Sequence, residues 1–114
     1  MSNYRNMDID RLAEIFKALS NPNRLAIFVR LVECCAPGTH CSAEPDPGTC
    51  IGEVSEGLGI VPSTVSHHLK ELRRAGLVRT ERVGQKAECW VDPETLKLLA
   101  DFFDVKCVER GEKR

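Results

Sequence analysis

The residues of this sequence best able to do chemistry are its cysteines. Four of the six lie close together: Cys34, Cys35, Cys41 and Cys50. Thiolates bind soft metal ions and also exchange electrons, so a cluster of them indicates a metal site or a redox site. The first residues lack the apolar segment of a secretory signal, and we therefore expect a cytoplasmic protein, in which structural disulfides are rare. Metal or redox chemistry is the better interpretation of the cluster.

These cysteines lie within a long loop and at its two ends. Residues 36–49 contain three prolines and two glycines, which predicts irregular structure. The helix before the loop begins at Pro22, after an asparagine N-cap, and ends near Cys34 or Cys35. The helix after the loop begins at Cys50. Because closing a loop of about fifteen residues costs little entropy, we expect the cysteines at its two ends to come together.

The polar helix that follows carries a second group of candidate residues. Pro62 suits a first helical position and Gly76 a left-handed cap beyond the last turn, so a helix is predicted between them. One face is apolar, because Val65, Leu69 and Leu72 repeat at helical spacing. The other face has short hydrogen-bonding side chains near its start, where a recognition helix contacts base edges and phosphates. This polar set is Ser63, Thr64, Ser66, His67 and Lys70.

The segments before and after the polar helix predict that it belongs to a winged helix-turn-helix. The short helix after the cysteine loop, a tight turn and the polar helix together form a helix-turn-helix. Beyond Gly76 the apolar period changes to two, which predicts a β-hairpin with its turn at Gly84. The predicted strands are residues 77–83 and 87–91. Two basic residues, Arg82 and Lys86, flank the turn of this wing.

The first and last predicted helices have strong apolar stripes. The first covers residues 8–20, and the last begins at Pro93 and runs to about Cys107. Together they carry more apolar surface than a small domain covers, so we expect a homodimer built from these two helices. The predicted fold class is mainly α with a β-hairpin, in the order α-α-α-α-β-β-α, as a single domain over residues 1–114. The charged tail, 108–114, is expected to be flexible.

The distribution of charge is compatible with a nucleic-acid partner. The formal net charge is −1, but residues 62–90 carry six Lys or Arg against three Glu. This segment is therefore basic, while the rest of the chain is acidic. No apolar run approaches the length of about 18 residues that a membrane span needs. The sequence also has no phosphate-binding glycine loop and no plausible pair of catalytic carboxylates. We therefore expect neither membrane association nor enzyme activity.

The order of elements and three motifs resemble the ArsR/SmtB family of metal-responsive winged-helix repressors, over roughly residues 9–105. The motifs are FKALSNPNRL at 16–25, STVSHHL at 63–69 and LRRAGLV at 72–78. The resemblance implies a cytoplasmic dimer that binds an inverted-repeat operator in double-stranded DNA. It also implies that an inducer weakens the DNA complex, so that transcription starts.

The resemblance assigns roles to individual residues of the polar helix and wing. The groove-facing set it implies is Ser63, Thr64, Ser66 and His67. His68 corresponds to the family's inward structural histidine, and Arg82 and Lys86 correspond to contacts with the DNA backbone or minor groove. One departure concerns Val61, where the family usually has Ser or Thr. Valine cannot cap a helix, so another group must satisfy the first backbone N–H groups.

The family's usual cysteine pair is altered in this chain. Many members bind metals through a Cys-x-Cys pair on the third helix, but here Cys50 is followed by Gly52 at the second position. The replacement ligands predicted are Cys34, Cys35, Cys41 and Cys50, of which the last three are preferred. Three thiolates suit As(III) or Sb(III), the inducers that we favour, while four, or three with His40, suit Zn²⁺ or Cd²⁺. Pb²⁺ and Hg²⁺ also remain open, and no organic cofactor is expected.

The two cysteines outside the cluster are not predicted to be ligands, and two other functions remain open. Cys89 alternates with apolar neighbours and is interpreted as packing, and Cys107 as a thiol at a helix end. One alternative function is a thiol redox sensor of the same fold. Its disulfides would form within the pairs Cys34/Cys35 and Cys41/Cys50. The other alternative is a zinc-stapled interaction module without a DNA role.

Overall fold

Five helices and a small antiparallel sheet make up the fold in a computed structural model, which describes residues 8–34, 39–44 and 48–109, the last five as backbone only. The helices are α1 (Ile9–Leu19), α2 (Pro22–Cys34), α3 (Cys50–Leu58), α4 (Pro62–Arg74) and α5 (Pro93–Glu109). The strands are β1 (Cys41–Ser42), β2 (Val78–Val83) and β3 (Lys86–Val91). The predicted order of helices and hairpin is confirmed. Across these residues, no helix has the length and apolar character needed to cross a membrane.

Side-chain caps explain where the first three helices begin. The Asp8 carboxylate accepts a backbone N–H at 3.0 Å at the start of α1, and the Asn21 side chain does the same at 3.0 Å ahead of α2. The Thr49 hydroxyl accepts the N–H of Gly52 at 3.0 Å at the start of α3. These caps satisfy donors that the first turn of a helix leaves without an internal partner.

The turn between α3 and α4 depends on a glycine. Gly59 follows α3 with φ of +67°, a left-handed conformation that side chains disfavour. Val61 then occupies the N-cap position of α4 without a side-chain hydrogen bond, as predicted. Its carbonyl accepts the N–H groups of Thr64 and Val65 at 3.0 and 3.1 Å. Since Pro62 has no N–H, α4 begins with few donors left to satisfy.

The predicted wing is confirmed, and a third strand joins it. β2 and β3 pair antiparallel around Gly84, whose φ is +67°, and β1 pairs with the other edge of β3. In the β1 register Cys41 lies opposite Cys89 and Ser42 opposite Glu88. The prediction of wholly irregular structure over residues 36–49 is therefore wrong at two positions. The strand gains its hydrogen bonds from a distant partner, so no local pattern indicated it.

One apolar core lies between the inward faces of the helices and the base of the hairpin. Its fully buried members are Ile15, Ile27, Ile51, Val65, Leu72, Leu77, Val78 and Val91. Cys89 belongs to this core with 2% of its surface exposed, which confirms its predicted packing role. The apolar face predicted for α4 is also confirmed. α5 packs against the core through partly buried leucines.

A polar network attaches the start of α5 to the end of α4 and to the wing. Thr95 is fully buried, donates its hydroxyl to the Gly76 carbonyl at 2.7 Å, and accepts a hydrogen bond from Arg11 at 3.0 Å. Asp92 accepts a backbone N–H of α5 at 2.9 Å and pairs with Arg79 at 2.8 Å. Burial opposes ionisation of Asp92, but the Arg79 guanidinium and backbone N–H groups outweigh it and hold the pKa of this carboxyl below its usual value.

The last helix is longer than the sequence indicated. α5 ends at Glu109, two residues beyond the predicted end at Cys107. The predicted flexible tail, 108–114, therefore begins inside a helix, and residues 110–114 lie outside the described part of the chain. The charged residues near its end do not interrupt a helical backbone, because Lys and Glu are good helix formers.

Candidate DNA interface and thiol site

The polar face of α4 lies at the surface, as the sequence predicted. Ser63, Ser66, His67 and Lys70 are exposed and Thr64 is half-buried. The opposite face is buried through Val65, Leu69 and Leu72. With α3 packed against it and the wing beside it, α4 has the position of a recognition helix that enters a major groove.

His68 lies inside the domain, with 8% of its surface exposed. Its Nδ1 atom is buried and has no hydrogen-bond partner among the described residues, which is unusual for a core histidine. Burial lowers the pKa of His68, and the charges of Arg24 and His67 lower it further. The ring is therefore neutral at neutral pH. The inward, structural position predicted for this histidine is confirmed.

The wing presents its two predicted basic residues to solvent. Arg82 and Lys86 are exposed on either side of the hairpin turn. The hairpin leaves α4 through Gly76, with φ of +82°, and the N–H of Leu77 bonds to the carbonyl of Leu72 at 3.0 Å. Leu72 and Leu77 are fully buried at this junction, so it fixes the wing relative to α4. The two elements can then contact neighbouring parts of one DNA duplex.

Two of the predicted thiol ligands are in direct contact. Cys34, the last residue of α2, donates its S–H to Cys50, the first residue of α3, and their Sγ atoms are 3.2 Å apart. Cys34 is exposed and Cys50 half-buried, so solvent reaches the pair. A tetrahedral ion with metal–sulfur distances of about 2.3 Å needs sulfurs about 3.8 Å apart. The pair would have to open by roughly half an ångström to bind such an ion.

The sequence alone favours Cys35 over Cys34 as a ligand beside Cys50, whereas the observed contact involves Cys34. The helical spacing of α2 could have identified Cys34 as the thiol that faces α3, because Cys34 follows the buried residues Ile27 and Leu31 at i+7 and i+3. That spacing places it on the inward line of the helix. Loop length alone brings the two helix ends together, but only the helical phase selects which thiol faces α3.

Burial keeps two of the thiols protonated. It raises the pKa of Cys50 to about 11, and the hydrogen bond and charge of Cys34 add to this effect. Burial likewise raises the pKa of Cys89 to about 11, with a further contribution from Cys34. Both side chains are therefore neutral at neutral pH. A divalent metal ion that binds Cys50 must displace its proton, so its apparent affinity depends on pH.

The other predicted ligands are not gathered at this pair by the structure. Cys41 is disulfide-bonded to a partner outside the described residues, and Cys50 is a reduced thiol. The Cys41/Cys50 pairing of the redox alternative is therefore wrong in this structure, since Cys50 instead contacts Cys34. Cys35 and the side chain of Cys107 also lie outside them. Over residues 8–34, 39–44 and 48–104, no three His, Cys, Asp or Glu side chains are grouped so as to hold a metal ion. The three-thiolate site therefore stays a prediction, and only the Cys34–Cys50 contact is observed.

His40, the further candidate ligand, contacts the wing. Its ring stacks on Trp90 with centroids 3.9 Å apart and planes at 11°, and Nδ1 lies 3.2 Å from the Glu88 carboxylate. Nearby, the N–H of Ala43 bonds to the carbonyl of Ala87 at 2.8 Å. These contacts engage one face and one nitrogen of the imidazole with β3. They also attach the described end of the cysteine loop to the wing.

The fold and the exposed face of α4 define a winged helix-turn-helix transcriptional regulator, a class that binds DNA. Comparison with known proteins supports this assignment to the winged helix-turn-helix regulators. A family model described as "Helix-turn-helix domain" matches residues 19–81. The uncharacterized HTH-type transcriptional regulator YbzH of Bacillus subtilis is 37% identical over 95 residues, which cover 79% of this chain and 92% of that protein.

Two named repressors are also similar. The HTH-type transcriptional repressor SmtB of Mycobacterium tuberculosis is 32% identical over 78 residues, which cover 68% of this chain and 48% of that protein. The crystal structure of the transcriptional repressor BigR from Xylella fastidiosa matches with a TM-score of 0.55 at 26% identity, covering 87% of this chain and 89% of that one. The chain belongs to the ArsR/SmtB family of transcriptional regulators, which are not enzymes.

Proposed function

We propose that this protein is a cytoplasmic repressor whose dimer binds an inverted-repeat operator and releases it when a thiophilic ion binds, with As(III) or Sb(III) as the first choice. The supporting observation is the contact between Cys34 and Cys50 at the start of α3. Since α3 is the first helix of the helix-turn-helix, an ion held there acts directly on the unit that positions α4.

The chemistry of the donor set favours soft ions. Sulfur donors select soft ions over hard ones. We assign Cys34 and Cys50 as two ligands, with Cys35 or Cys41 as the third. Because Cys41 is disulfide-bonded, it has to be reduced before it can serve. A set of three sulfurs favours As(III) or Sb(III), and Zn²⁺, Cd²⁺, Pb²⁺ and Hg²⁺ remain further candidates.

The proposed mechanism is linkage between ion binding and DNA binding. An ion that prefers the DNA-incompetent conformation weakens DNA binding by the ratio of its affinities for the two conformations. Cys50 begins α3, and Cys41 lies on β1, which pairs with β3 of the wing. Drawing these segments together shifts α3 and the wing relative to each other. Both DNA-contacting units are thus connected to the thiol site.

A DNA-release assay tests which ligand is sensed. A labelled fragment from upstream of the protein's own gene is bound, and As(III), Sb(III), Cd²⁺, Pb²⁺, Zn²⁺, Hg²⁺ or peroxide is then titrated, the ions in the presence of a reductant. As(III) and Sb(III) are expected to weaken binding by about 5- to 150-fold, the usual range of allosteric coupling. Mg²⁺ serves as the hard-ion control. Binding that none of the soft ions weakens would contradict ion sensing.

A second candidate function, thiol redox sensing, is favoured by the same 3.2 Å contact and by the disulfide at Cys41. Peroxide would oxidise one thiol of the Cys34–Cys50 pair to a sulfenic acid with release of water, and the other thiol would displace a second water to form the disulfide. The thiols lose two electrons and two protons, and peroxide becomes two waters. Release by peroxide without any ion response would favour this function.

We further propose a homodimer through α1 and α5. The ring of Phe16 on α1 lies 5.8 Å from that of Phe102 and 6.1 Å from that of Phe103, both on α5. Large apolar side chains on these two helices remain exposed, with Ile9 at 57% and Phe103 at 54%. A second copy of the chain would cover this apolar surface.

Sedimentation at micromolar concentration is expected to give twice the chain mass of 12.7 kDa. Phe103→Asp should raise the dimer dissociation constant by about tenfold or more, because aromatic residues often dominate such interfaces. It should also weaken operator binding, since a dimer reads two half-sites. The matched control is Val83→Asp on the wing, where the side chain is 49% exposed and the mass should not change. A monomeric mass for the unmodified protein would refute the dimer.

A further inference from the structure

A concavity of about 250 Å³ lies between α4 and the wing, beside the predicted groove-facing residues. We call it the helix–wing cleft. It is lined by Ser66, Leu69, Lys70 and Arg73 of α4, by Thr80 and Ala87 of the hairpin, and by Ala43 just after β1. Ser66, Lys70 and Arg73 follow one another at i, i+4 and i+7. They therefore form a single polar edge of the helix that faces the wing.

The helix–wing cleft is cationic and carries hydroxyl groups. Lys70 and Arg73 are exposed, and none of the described residues that line the cleft is acidic. The Glu44 carboxylate accepts the backbone N–H of Ala87, one of the lining residues, at 3.3 Å. Arg73 donates a hydrogen bond to Oγ1 of Thr80 at 3.3 Å, which links α4 to β2 and restrains the guanidinium. Ser66 provides the second hydroxyl. Two cations and two hydroxyls form a donor set suited to phosphate oxygens.

We propose that the helix–wing cleft seats a sugar–phosphate strand of the operator, with Arg73 as a phosphate contact and Thr80 as the residue that positions it. When a recognition helix occupies a major groove and a wing reaches the adjacent minor groove, one backbone strand passes between them. The cleft is the space between these two elements. The inference rests on the DNA-binding function and adds Arg73 and Thr80 to the contacts predicted from the sequence.

Arg74, the next residue along α4, provides a matched control. Its guanidinium lies 3.3 Å from the carboxylate of Glu71. It lines a different cavity, which faces α1 and α2 through Lys17 and Arg24. Replacing either arginine with alanine removes one positive charge from the same turn of the same helix. A difference between the two variants therefore cannot arise from net charge alone.

The test measures binding of a labelled duplex of about three helical turns, from upstream of the protein's own gene, over a range of salt concentrations. Each phosphate contact contributes about 0.9 to the slope of log affinity against log salt. Arg73→Ala should therefore reduce the slope by about 1.8 for a dimer, and its affinity deficit should shrink about twelvefold between about 50 and 200 mM salt. Arg73→Lys should keep the slope because it keeps the charge. Arg74→Ala should resemble the unmodified protein.

A second measurement identifies the phosphate itself. Neutral methylphosphonate replaces the operator phosphates one at a time, and the unmodified protein should lose affinity at one position in each half-site. Arg73→Ala should lose nothing further there, which is the coupling that a double-mutant cycle detects. Thermal melts check that both alanine variants are folded.

The possible outcomes separate this inference from the DNA-binding function. Equal salt slopes for Arg73→Ala and Arg74→Ala, with DNA still bound, would overturn the phosphate contact and leave the function intact. Inorganic phosphate at constant ionic strength should compete no better than chloride. Competition that disappears in Arg73→Ala would assign the cleft to a free anion instead of a DNA strand. If the unmodified protein bound no duplex at low salt, both conclusions would fall together.

Discussion

Leu72→Ala is expected to lower the free energy of unfolding by about 3 to 4 kcal/mol, within the range for leucines truncated in a packed core. Leu72 is fully buried, and its carbonyl accepts the N–H of Leu77 where α4 turns into the wing. The truncation leaves a cavity between α4 and the core. Since alanine is the best helix former, α4 itself is not weakened. A domain of total stability about 5–15 kcal/mol loses a large share of it.

Urea denaturation followed by circular dichroism measures this loss. Leu25→Ala is the matched control, because it makes the same chemical change on α2 at a side chain that is 42% exposed. We expect it to cost less than about 1 kcal/mol. Protein concentration has to be equal in all samples, since dimerisation would couple to unfolding. Equal losses for the two variants would show that Leu72 does not occupy the buried junction described here.

The helices and hairpin could be predicted because their signals are local. Pro22 and Pro62 mark helix starts, and Gly59 and Gly76 adopt the positive φ that a chain needs after a helix end. The apolar spacing within α4 fixed both its buried face and, by difference, its exposed face. The exposed polar residues proposed to contact DNA followed directly from that phase, since a helix has only one side left to present once its core face is known.

The thiol site could be predicted only in part, because it depends on contacts between distant segments. β1 exists through its pairing with β3, and nothing within residues 41–42 indicates a strand. The loop length predicted that thiols at its two ends meet, and the contact between Cys34 and Cys50 confirms this. It did not identify Cys34, since adjacent cysteines at a helix end differ only in helical phase. The disulfide at Cys41 likewise has no local signature.

The proposed sensing site and the proposed DNA-binding surface lie in different parts of the fold. The proposed output is the outer face of α4 with the wing, which we expect to contact DNA. The proposed input is the junction of α2 and α3, where the thiols of Cys34 and Cys50 are in contact. Two connections join them: α3 leads through the Gly59 turn into α4, and β1 hydrogen-bonds to β3. His40 strengthens the second connection by stacking on Trp90. A change at the thiols can therefore reach both α4 and the wing, as the proposed mechanism requires.

Cys50→Ser is expected to abolish release of DNA by As(III) while leaving DNA binding itself nearly unchanged. Serine preserves the size of the side chain at the start of α3, but its hydroxyl is a hard donor and a poor ligand for a soft ion. The full coupling, about 5- to 150-fold in DNA affinity, should disappear. With Cd²⁺ in place of As(III), release by the unmodified protein should strengthen as pH rises through the neutral range, because the divalent ion displaces a proton from a thiol whose pKa is about 11.

The controls for Cys50→Ser separate ligands from packing residues. Cys34→Ser should reproduce the loss of release, because the two sulfurs are in contact. Cys89→Ala should keep the response and lose only stability, since that thiol is 2% exposed in the core. Anaerobic titration with a reductant excludes disulfide formation as the cause of release. If Cys50→Ser bound DNA and still released it normally on As(III) addition, the junction of α2 and α3 would not be the sensing site.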